Sequence, residues 1–324
     1  MKKSIVLIVM FLVLIPLFGC KKTKAYEGSI YQFGTIIKIS IKAEKDLVET
    51  HYNNICDIFE HFDKISNPYI NYGNNVYAIN HATDFIEVDD DLLDILNLAL
   101  EFEKITNGHF NILVGNVANV YKDIIDGARD DLSDAEISSY LKEINESIIV
   151  IDGNKVKING TAKIDLGAIA KGYALKKVKE YILENGISEY IINCGASSLA
   201  MGEKSGGYFV IGIKYDEANK VYIKNYDLGC SSSNEQSRII NGKKINHIVN
   251  PLTCTPSNNH EAVYLIGADS AILDILSTAF MSMEMDEIRD LCNRYDLYYI
   301  VYDDSNTVYK TIDGVYYDSK AYEE

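Results

Sequence analysis

The sequence contains no tryptophan and only four prolines among its 324 residues, and its six cysteines are scattered along the chain. Cysteines of a disulfide framework or a zinc site usually recur at close, regular spacings. The five that follow Cys20 do not: Cys56, Cys194, Cys230, Cys254 and Cys292. The spacing therefore argues against a disulfide framework and a Cys-x-x-Cys metal site. No repeat, low-complexity tract or Pro/Gly-rich linker divides the chain after residue 27, which indicates one large domain or two closely packed ones.

Two common phosphate-binding motifs are also absent. Neither a Gly-x-x-x-x-Gly-Lys-Ser/Thr loop nor a Gly-x-Gly-x-x-Gly fingerprint occurs between a predicted strand and a predicted helix. Positive charge is scarce as well, since 31 Lys and Arg residues face 47 Asp and Glu residues, for a formal net charge of −16 at pH 7. An acidic surface repels the phosphate backbone, so we expect no nucleic-acid partner.

The start of the chain has the pattern of a secretory signal peptide. Two lysines precede an apolar run over residues 5–18, which is too short for a durable membrane span. The run ends at Leu-Phe-Gly-Cys, which is similar to a bacterial lipobox. We therefore predict a signal peptide over residues 1–19 and a lipidated Cys20 with a tether over residues 20–27. An uncleaved anchor helix is the alternative, and either one places the protein at the outer face of the cytoplasmic membrane.

The stretch from Asp165 to Ala174 is the most informative segment. It reads Asp-Leu-Gly-Ala-Ile-Ala-Lys-Gly-Tyr-Ala, after a strand-like run and leading into a helical pattern. A helix N-terminus offers free N–H groups and the positive end of the helix dipole, which favour a phosphate, and Lys171 adds a full charge. Gly167 and Gly172 permit close approach of a ligand or a neighbouring backbone. The alternative is that Asp165 only caps the helix, Lys171 is solvated and the glycines serve packing.

A second helix is predicted after Asp269, apolar on nearly every side and therefore buried. Asp274 and Thr278 lie in it at positions i and i+4, on one face. A buried carboxylate needs a cation or strong donors. One carboxylate with a hydroxyl, backbone carbonyls and ligand phosphate oxygens would suit Mg²⁺. The alternative is that Asp274 is hydrogen-bonded to a loop and Thr278 is bonded back to its own helix.

His247 is the best candidate for a general base. It stands at the end of a predicted strand, just before Asn250-Pro251, where a side chain can project into a cleft. The ordinary pKa of imidazole suits proton transfer near neutral pH. A purely structural histidine is the alternative.

The order of predicted elements indicates the fold class. Most strands pair through hairpins, and three or four long helices lie between them along the chain. This arrangement predicts an α+β fold with a largely antiparallel sheet packed against several long helices.

The informative segments occur in an order that is typical of one family. They are Phe33-Gly34-Thr35, Gly108-His109-Phe110-Asn111, residues 164–174, His247-Ile248-Val249-Asn250-Pro251 and Asp274-Ile275-Leu276-Ser277-Thr278-Ala279. Over residues 28–324 the chain resembles the ApbE family, the FAD:protein FMN transferases. The Asp-Leu-Gly-x-x-Ala-Lys-Gly segment is the specific part of the resemblance, and the Asp-x-x-x-Thr pair supports it.

The resemblance implies a lipid-anchored enzyme that binds FAD and Mg²⁺. Such an enzyme transfers FMN to a Thr or Ser hydroxyl of a flavoprotein in an electron-transfer chain and releases AMP. It implies that His247 is the base that takes the proton from that hydroxyl. The positions carried over as FAD contacts are Phe33, His109, Phe110, Asn111, Asp165, Lys171 and Val249. The positions carried over as metal ligands are the carbonyl of Ala168 and the side chains of Asp274 and Thr278.

The chain departs from the family pattern at several positions. Asn111 and Asn250 stand where the family usually has Asp, and Ala196 and Cys254 stand where it has Gly. Asn67 replaces a bulky aromatic residue before a proline, and a smaller side chain there admits water. Two alternative functions therefore stay open: an FAD pyrophosphatase that gives FMN and AMP, and a non-catalytic FAD-binding lipoprotein.

Overall fold

The computed structural model describes residues 22–214, 216–303, 308–310 and 316–318. The predicted signal peptide, residues 1–19, and Cys20 lie outside the described residues. Within the described ranges, no helix is both long and apolar enough to cross a membrane. The helices are α1 Val48–Ser66, α2 Val76–His81, α3 Asp90–Ile105, α4 Gly115–Asp126, α5 Asp134–Glu146, α6 Ala170–Glu184, α7 Ser270–Phe280 and α8 Met285–Tyr295, with a 3-10 turn at Ile112–Val114.

Most of the strands are short. In chain order they are β1 Thr23–Gln32, β2 Thr35–Glu44, β3 Ile86–Glu87, β4 Ile148–Asp152, β5 Lys155–Asn159, β6 Glu189–Cys194, β7 Ser198–Met201, β8 Phe209–Ile213, β9 Asp216–Ile223, β10 Asp227–Ser232, β11 Ser237–Ile240, β12 Lys243–Asn246, β13 Val249–Asn250, β14 Thr255–Pro256, β15 His260–Gly267, β16 Tyr298–Asp303, β17 Val308–Lys310 and β18 Tyr316–Asp318.

A central sheet of eight strands organises the described residues. Its order is β1-β2-β6-β7-β10-β15-β16-β17, and every neighbouring pair is antiparallel. Two three-stranded sheets, β3-β5-β4 and β18-β9-β8, and the hairpins β11-β12 and β13-β14 are separate from it. The predicted α+β fold with a largely antiparallel sheet is confirmed.

The first hairpin shows how the sequence pattern sets the central sheet. Ile37, Ile39 and Ile41 of β2 are at most 1% exposed and alternate with residues on the opposite face, as the two-residue period of a strand requires. The two residues that join β1 to β2, Phe33 and Gly34, have φ values of +53° and +68°. Such a two-residue turn matches the twist of the paired strands. It places Phe33 at the tip of the hairpin.

Helices α6 and α7 pack against each other and against one face of the central sheet. Helix α7 is buried on nearly every side, as predicted, with Leu273, Leu276 and Phe280 at 0% exposure. Strand β10 lies beneath it, and a Cβ on Gly229 would come within 2.7 Å of Leu273 Cβ. Small residues in β10 therefore let α7 approach the sheet closely, which brings the side chains of both elements together.

Three apolar clusters fill the interior. The largest packs α1, α3, α6, α7 and α8 against one face of the central sheet. The second lies between the other face and strands β8 and β9. The third joins α4 and α5 to β12 and the β13-β14 hairpin. The elements that carry the predicted site residues thus belong to different clusters: α6 and α7 to the first, and β12 and β13 to the third.

Candidate functional site

A tight turn leads into α6. Asp165 Oδ1 accepts a hydrogen bond from the Gly167 N–H at 2.7 Å, and the Leu166 carbonyl accepts bonds from the N–H groups of Ile169 and Ala170. Asp165 therefore stabilises the turn and is not the helix cap. The N-cap residue is Ile169, and it makes no side-chain capping bond. The positive end of the α6 dipole is thus left for other groups to satisfy.

Asp274 supplies one of those groups from the neighbouring helix. Its side chain is 4% exposed; Oδ2 accepts the Gly172 N–H at 2.9 Å, and Oδ1 accepts the Ser198 hydroxyl at 3.1 Å. The contact depends on Gly172, because a Cβ there would lie 2.4 Å from the Ser270 carbonyl oxygen and 2.5 Å from Asp274 Cβ. Gly172 thus allows a neighbouring backbone to come close, one of the two predicted roles.

Hydroxyl groups extend from Asp274 along α7. Thr278 Oγ1 donates to the Asp274 carbonyl at 3.1 Å, so it is bonded back to its own helix as the alternative prediction stated. It also lies 3.3 Å from Ser231 Oγ of β10, which in turn lies 3.0 Å from Ser277 Oγ. A hydroxyl that donates one bond keeps lone pairs for a further partner. Local bonding and metal binding are therefore compatible at Thr278.

The donor set around Asp274 suits a hard divalent cation. No Lys, Arg or His nitrogen in the described residues forms an ion pair with Asp274, and these residues contain no group of three His, Cys, Asp or Glu side chains that could hold a metal ion. Mg²⁺ usually binds one or two carboxylates and completes its shell with water and substrate phosphates. The Asp274 carboxylate and the Thr278 hydroxyl on α7 fit that pattern, and the carbonyl of Ala168, in the turn before α6, stays a predicted third ligand.

Lys171 acts electrostatically on three groups of the site. Burial raises the pKa of the Cys194 and Cys230 thiols, and the positive charge of Lys171 opposes that rise. At His247, burial lowers the pKa, and the charge of Lys171 lowers it further. The side chain is partly buried. Lys171 therefore interacts electrostatically with Cys194, Cys230 and His247, which couples the cation at the start of α6 to the predicted base.

His247 follows β12 directly. Its backbone N–H donates to the Gln236 carbonyl at 3.1 Å, and its ring Nδ1 lies 3.3 Å from the same oxygen. The residue is accessible to solvent, yet the surrounding protein atoms lower its pKa because they disfavour the charged imidazolium; the Gln236 carbonyl acts in the opposite direction. A solvent-accessible imidazole with a lowered pKa is suited to accept a proton.

A cavity of about 240 Å³ opens beside Asp165. Pro68, Tyr69, Asn80 and Asn119 are among the residues that line it. Burial raises the pKa of the Asp165 carboxyl, and the bond from Gly167 opposes this rise. Tyr69, which is 58% exposed, donates its hydroxyl to Asn119 Oδ1 at 3.0 Å. The wall of the cavity thus combines an aromatic ring with amide and carboxyl groups.

The segment after α3 carries three predicted FAD contacts. His109 Nδ1 lies 2.8 Å from Ser282 Oγ, and burial lowers the pKa of His109. Phe110 is 3% exposed and belongs to the largest apolar cluster. Asn111 caps the 3-10 turn and donates to Glu103 Oε1 at 3.0 Å. Each has a local structural role, and a role in FAD binding stays a prediction for all three.

The last two predicted FAD contacts lie at hairpins. The N–H of Phe33 donates to Asp63 Oδ1 at 3.0 Å, which fixes the hairpin tip to α1. Val249 pairs with Pro256 and packs against the cluster formed by α4 and α5. The side chains of both residues are partly buried.

The structure adds functional candidates that the sequence prediction missed. Ser198 and Ser277 donate to Asp274, and Ser231 contacts Ser277 and Thr278. Asn246 and the carbonyl of Gln236 contact the His247 segment. The only sequence signals were the hydroxyl-rich run before residue 234 and the position of Asn246 next to the histidine. A backbone carbonyl such as that of Gln236 leaves no sequence signal.

Comparison with known proteins places the chain in a family. Residues 33–301 match the ApbE family profile. The chain is 24% identical over 225 residues to a protein of Klebsiella pneumoniae named FAD:protein FMN transferase, with 65% of this chain and 69% of the relative covered. A Haemophilus influenzae protein of the same name is 24% identical over 243 residues, with 70% of each chain covered.

A solved structure has the same fold. The ApbE protein of Thermotoga maritima superposes with a TM-score of 0.79 at 23% identity, covering 89% of this chain and 97% of the other. At this identity the superposition supports the fold alone, while the profile match spans well over half of the chain. The chain therefore belongs to the ApbE family.

Proposed function

We propose that this protein is a Mg²⁺-dependent FAD:protein FMN transferase. Its substrate would be FAD, and its acceptor a Thr or Ser hydroxyl of an extracytoplasmic flavoprotein in an electron-transfer chain. The proposal rests on family membership together with one observation: Lys171, in the first turn of α6, interacts electrostatically with His247, and Asp274 accepts the Gly172 N–H of the same turn. Cleavage of a pyrophosphate needs charge neutralisation and an activated nucleophile, and these residues are of the types that supply both.

The proposed reaction breaks the phosphoanhydride bond of FAD and forms a phosphoester bond to the acceptor. The acceptor oxygen attacks the phosphorus of the FMN half of FAD, the bond from that phosphorus to the bridging oxygen breaks, and AMP leaves with the bridging oxygen. His247 takes the proton of the acceptor hydroxyl. Lys171 and the positive end of the α6 dipole stabilise charge on the phosphates. Bound Mg²⁺, held by Asp274, Thr278 and the Ala168 carbonyl, would neutralise further charge.

AMP release with and without an acceptor tests this proposal. The purified protein is incubated with FAD and Mg²⁺, alone or with an apo FMN-binding domain from an electron-transfer flavoprotein, and AMP is quantified by chromatography. We expect AMP release that requires the acceptor and is lost in His247→Ala while FAD binding persists. FAD binding without AMP under every condition would instead identify a binding lipoprotein.

An FAD pyrophosphatase is the second candidate, favoured by the loop after α1. Asn67 Oδ1 accepts the N–H groups of Tyr69 and Ile70, both at 2.9 Å, so its side chain turns back into its own loop. The position therefore carries no bulky ring of the kind that would exclude water. Release of AMP and free FMN without an acceptor would support hydrolysis. If an Asn67→Tyr variant kept the same ratio of hydrolysis to transfer, the loop would not be what admits water.

We also propose that Cys20 anchors the protein by a lipid at the outer face of the cytoplasmic membrane. The lysine pair, the short apolar run and the Leu-Phe-Gly-Cys sequence support it. Cys20→Ser should release the protein from washed membranes and abolish incorporation of labelled fatty acid. Retention of the label in Cys20→Ser would contradict the assignment.

A further inference from the structure

The register of the β11-β12 hairpin brings a backbone carbonyl to His247. The last pair of the ladder is Ser237 with Asn246, so Gln236 and His247 stand opposite each other just beyond it. The Gln236 carbonyl oxygen lies 3.1 Å from the His247 backbone nitrogen and 3.3 Å from ring Nδ1. A carbonyl only accepts hydrogen bonds, so the ring contact is favourable when Nδ1 carries the proton.

Asn246 fixes the backbone on both sides of this contact. Its side chain is 0% exposed; Oδ1 accepts the Ile248 N–H at 2.9 Å, and Nδ2 donates to the Ser257 carbonyl and to Asn258 Oδ1, both at 2.9 Å. The Ser257 N–H also donates to the Ile248 carbonyl at 2.7 Å. The amide thus ties the segment that carries His247 to the segment that follows β14.

We propose that Asn246 and the Gln236 carbonyl together are a positioning device that holds His247 as the Nδ1–H tautomer, with Nε2 unprotonated. In a neutral imidazole one nitrogen donates and the other accepts, and the bond made by one nitrogen selects the role of the other. Nε2 is then the atom that accepts the proton of the acceptor hydroxyl. That last role rests on the proposed transferase function, whereas the tautomer does not.

The tautomer can be measured without any activity assay. The protein is labelled with ¹⁵N-histidine, and a long-range ¹H–¹⁵N spectrum above neutral pH distinguishes protonated from unprotonated ring nitrogens. The resonances of His247 are those missing from the His247→Gln variant. We expect a protonated Nδ1 and an unprotonated Nε2 at His247. A protonated Nε2 would overturn the proposal even if the protein proves to be a transferase.

Substitution of Asn246 tests the positioning role. We expect Asn246→Ala to give a mixture of tautomers at His247 and to lower kcat for FMN transfer by about 10- to 100-fold, the usual effect of losing an outer partner, with the KM for FAD unchanged. Asn246→Asp keeps one acceptor but loses both amide donors, so its kcat should also fall. Asn154→Ala, at an exposed asparagine in the β4-β5 turn, is the matched control and should behave as the wild type.

A milder variant keeps the test valid if Asn246→Ala does not fold. Asn258→Ala removes one of the two acceptors of the Asn246 amide and should shift tautomer and kcat in the same direction to a smaller extent. Wild-type tautomer and kcat in folded Asn246 variants would overturn the positioning role. If the protein transfers no FMN to any acceptor, the proposed function is refuted. If His247 is nevertheless the Nδ1–H tautomer, the assignment of the tautomer remains valid.

Discussion

Asp274 has two roles at the level of a single residue. Its carboxylate satisfies the Gly172 N–H at the start of α6 and the Ser198 hydroxyl, and it is also the carboxylate predicted to hold the proposed Mg²⁺. A negative charge near a helix N-terminus is favourable by itself. The two roles can be separated because a neutral amide keeps an acceptor for the helix but lacks the charge that attracts a cation.

Asp274→Asn should therefore stay folded and lose Mg²⁺-dependent turnover by on the order of 100- to 1000-fold, the usual scale for losing a key electrostatic contact. Asp274→Ala should in addition lose about 1–3 kcal/mol of unfolding free energy, because the buried Gly172 N–H loses its acceptor. Urea titration and steady-state rates measure the two effects. Normal turnover in folded Asp274→Asn would show that Asp274 does not hold a metal needed for the reaction.

The pH dependence of transfer tests His247 as the base. A base must be neutral, and the pKa of His247 is lowered from 6.5, so activity should persist as the pH falls through 6.5 and decline only below it. Glu235 raises this pKa, so Glu235→Gln should move the decline to still lower pH. The profile of kcat/KM measures both. A decline in kcat/KM that begins above pH 6.5 would show that the titrating group is not His247.

Two departures from the family pattern replace glycine at positions where the backbone φ angle is positive. Cys254 and Ala196 stand where the family has glycine, and both adopt positive φ values, +53° and +64°. The turns are kept: the Asn250 carbonyl accepts the Cys254 N–H at 2.8 Å, and Asn193 Oδ1 accepts the Ala196 N–H at 2.8 Å. Neither position has a glycine, but hydrogen bonds of the surrounding turn hold each residue in the left-handed conformation that glycine adopts most readily.

At the scale of elements, the contact between α6 and α7 determines where Asp274 lies. Gly172→Ala would place a Cβ 2.4 Å from the Ser270 carbonyl oxygen, so the helices must separate. We expect a loss of about 1–3 kcal/mol of unfolding free energy from overpacking, together with reduced Mg²⁺ affinity. Gly212→Ala in β8, where a Cβ meets nothing within 4 Å, is the control. Equal stability and Mg²⁺ affinity in both variants would contradict this view of the contact.

A buried ion pair ties α6 to the central sheet. Lys179 Nζ lies 2.9 Å from both carboxylate oxygens of Asp227, whose side chain is 0% exposed, and donates to the Ala268 carbonyl at 2.8 Å. Lys179→Met should lower the unfolding free energy by about 3–5 kcal/mol because it leaves a carboxylate buried without its cation. Adding Asp227→Asn should restore part of that stability in urea titrations. A Lys179→Met variant as stable as the wild type would show that the ion pair contributes nothing to the free energy of unfolding.

The positions of helices and strands were predicted better than the sheets to which the strands belong. The helix after Asp269 was predicted from its cap and apolar pattern, and α7 begins at Ser270, with Asp269 Oδ1 accepting the Ala271 N–H. The strand before the Asp165 segment was also predicted, but this strand, β5, belongs to a small sheet, whereas β6, which follows α6, belongs to the central one. From the sequence alone, Gly229 to Ser233 is predicted to be a small, hydroxyl-rich loop, because such residues are poor strand formers by propensity. Most of this segment instead belongs to strand β10, which lies under α7.

At the scale of the whole molecule, pairing between distant segments assembles the site. Strand β2 pairs with β6, and β7 pairs with β10, across long stretches of chain. Sequence periodicity reports which face of a strand is buried but not which strand lies beside it. The family resemblance supplied the common neighbourhood of Lys171, His247 and Asp274, whereas the contacts of Asn246 required the folded chain.

The most direct test of the central claim is the intact mass of an acceptor flavoprotein incubated with this protein and FAD. Parallel samples contain Mg²⁺ or a chelator, and a second acceptor has its modified Thr or Ser replaced by Val. We predict a mass gain of one FMN, with an equal amount of AMP, only with Mg²⁺ and the intact hydroxyl. An unchanged acceptor mass while AMP and free FMN accumulate would contradict the transferase and establish a hydrolase.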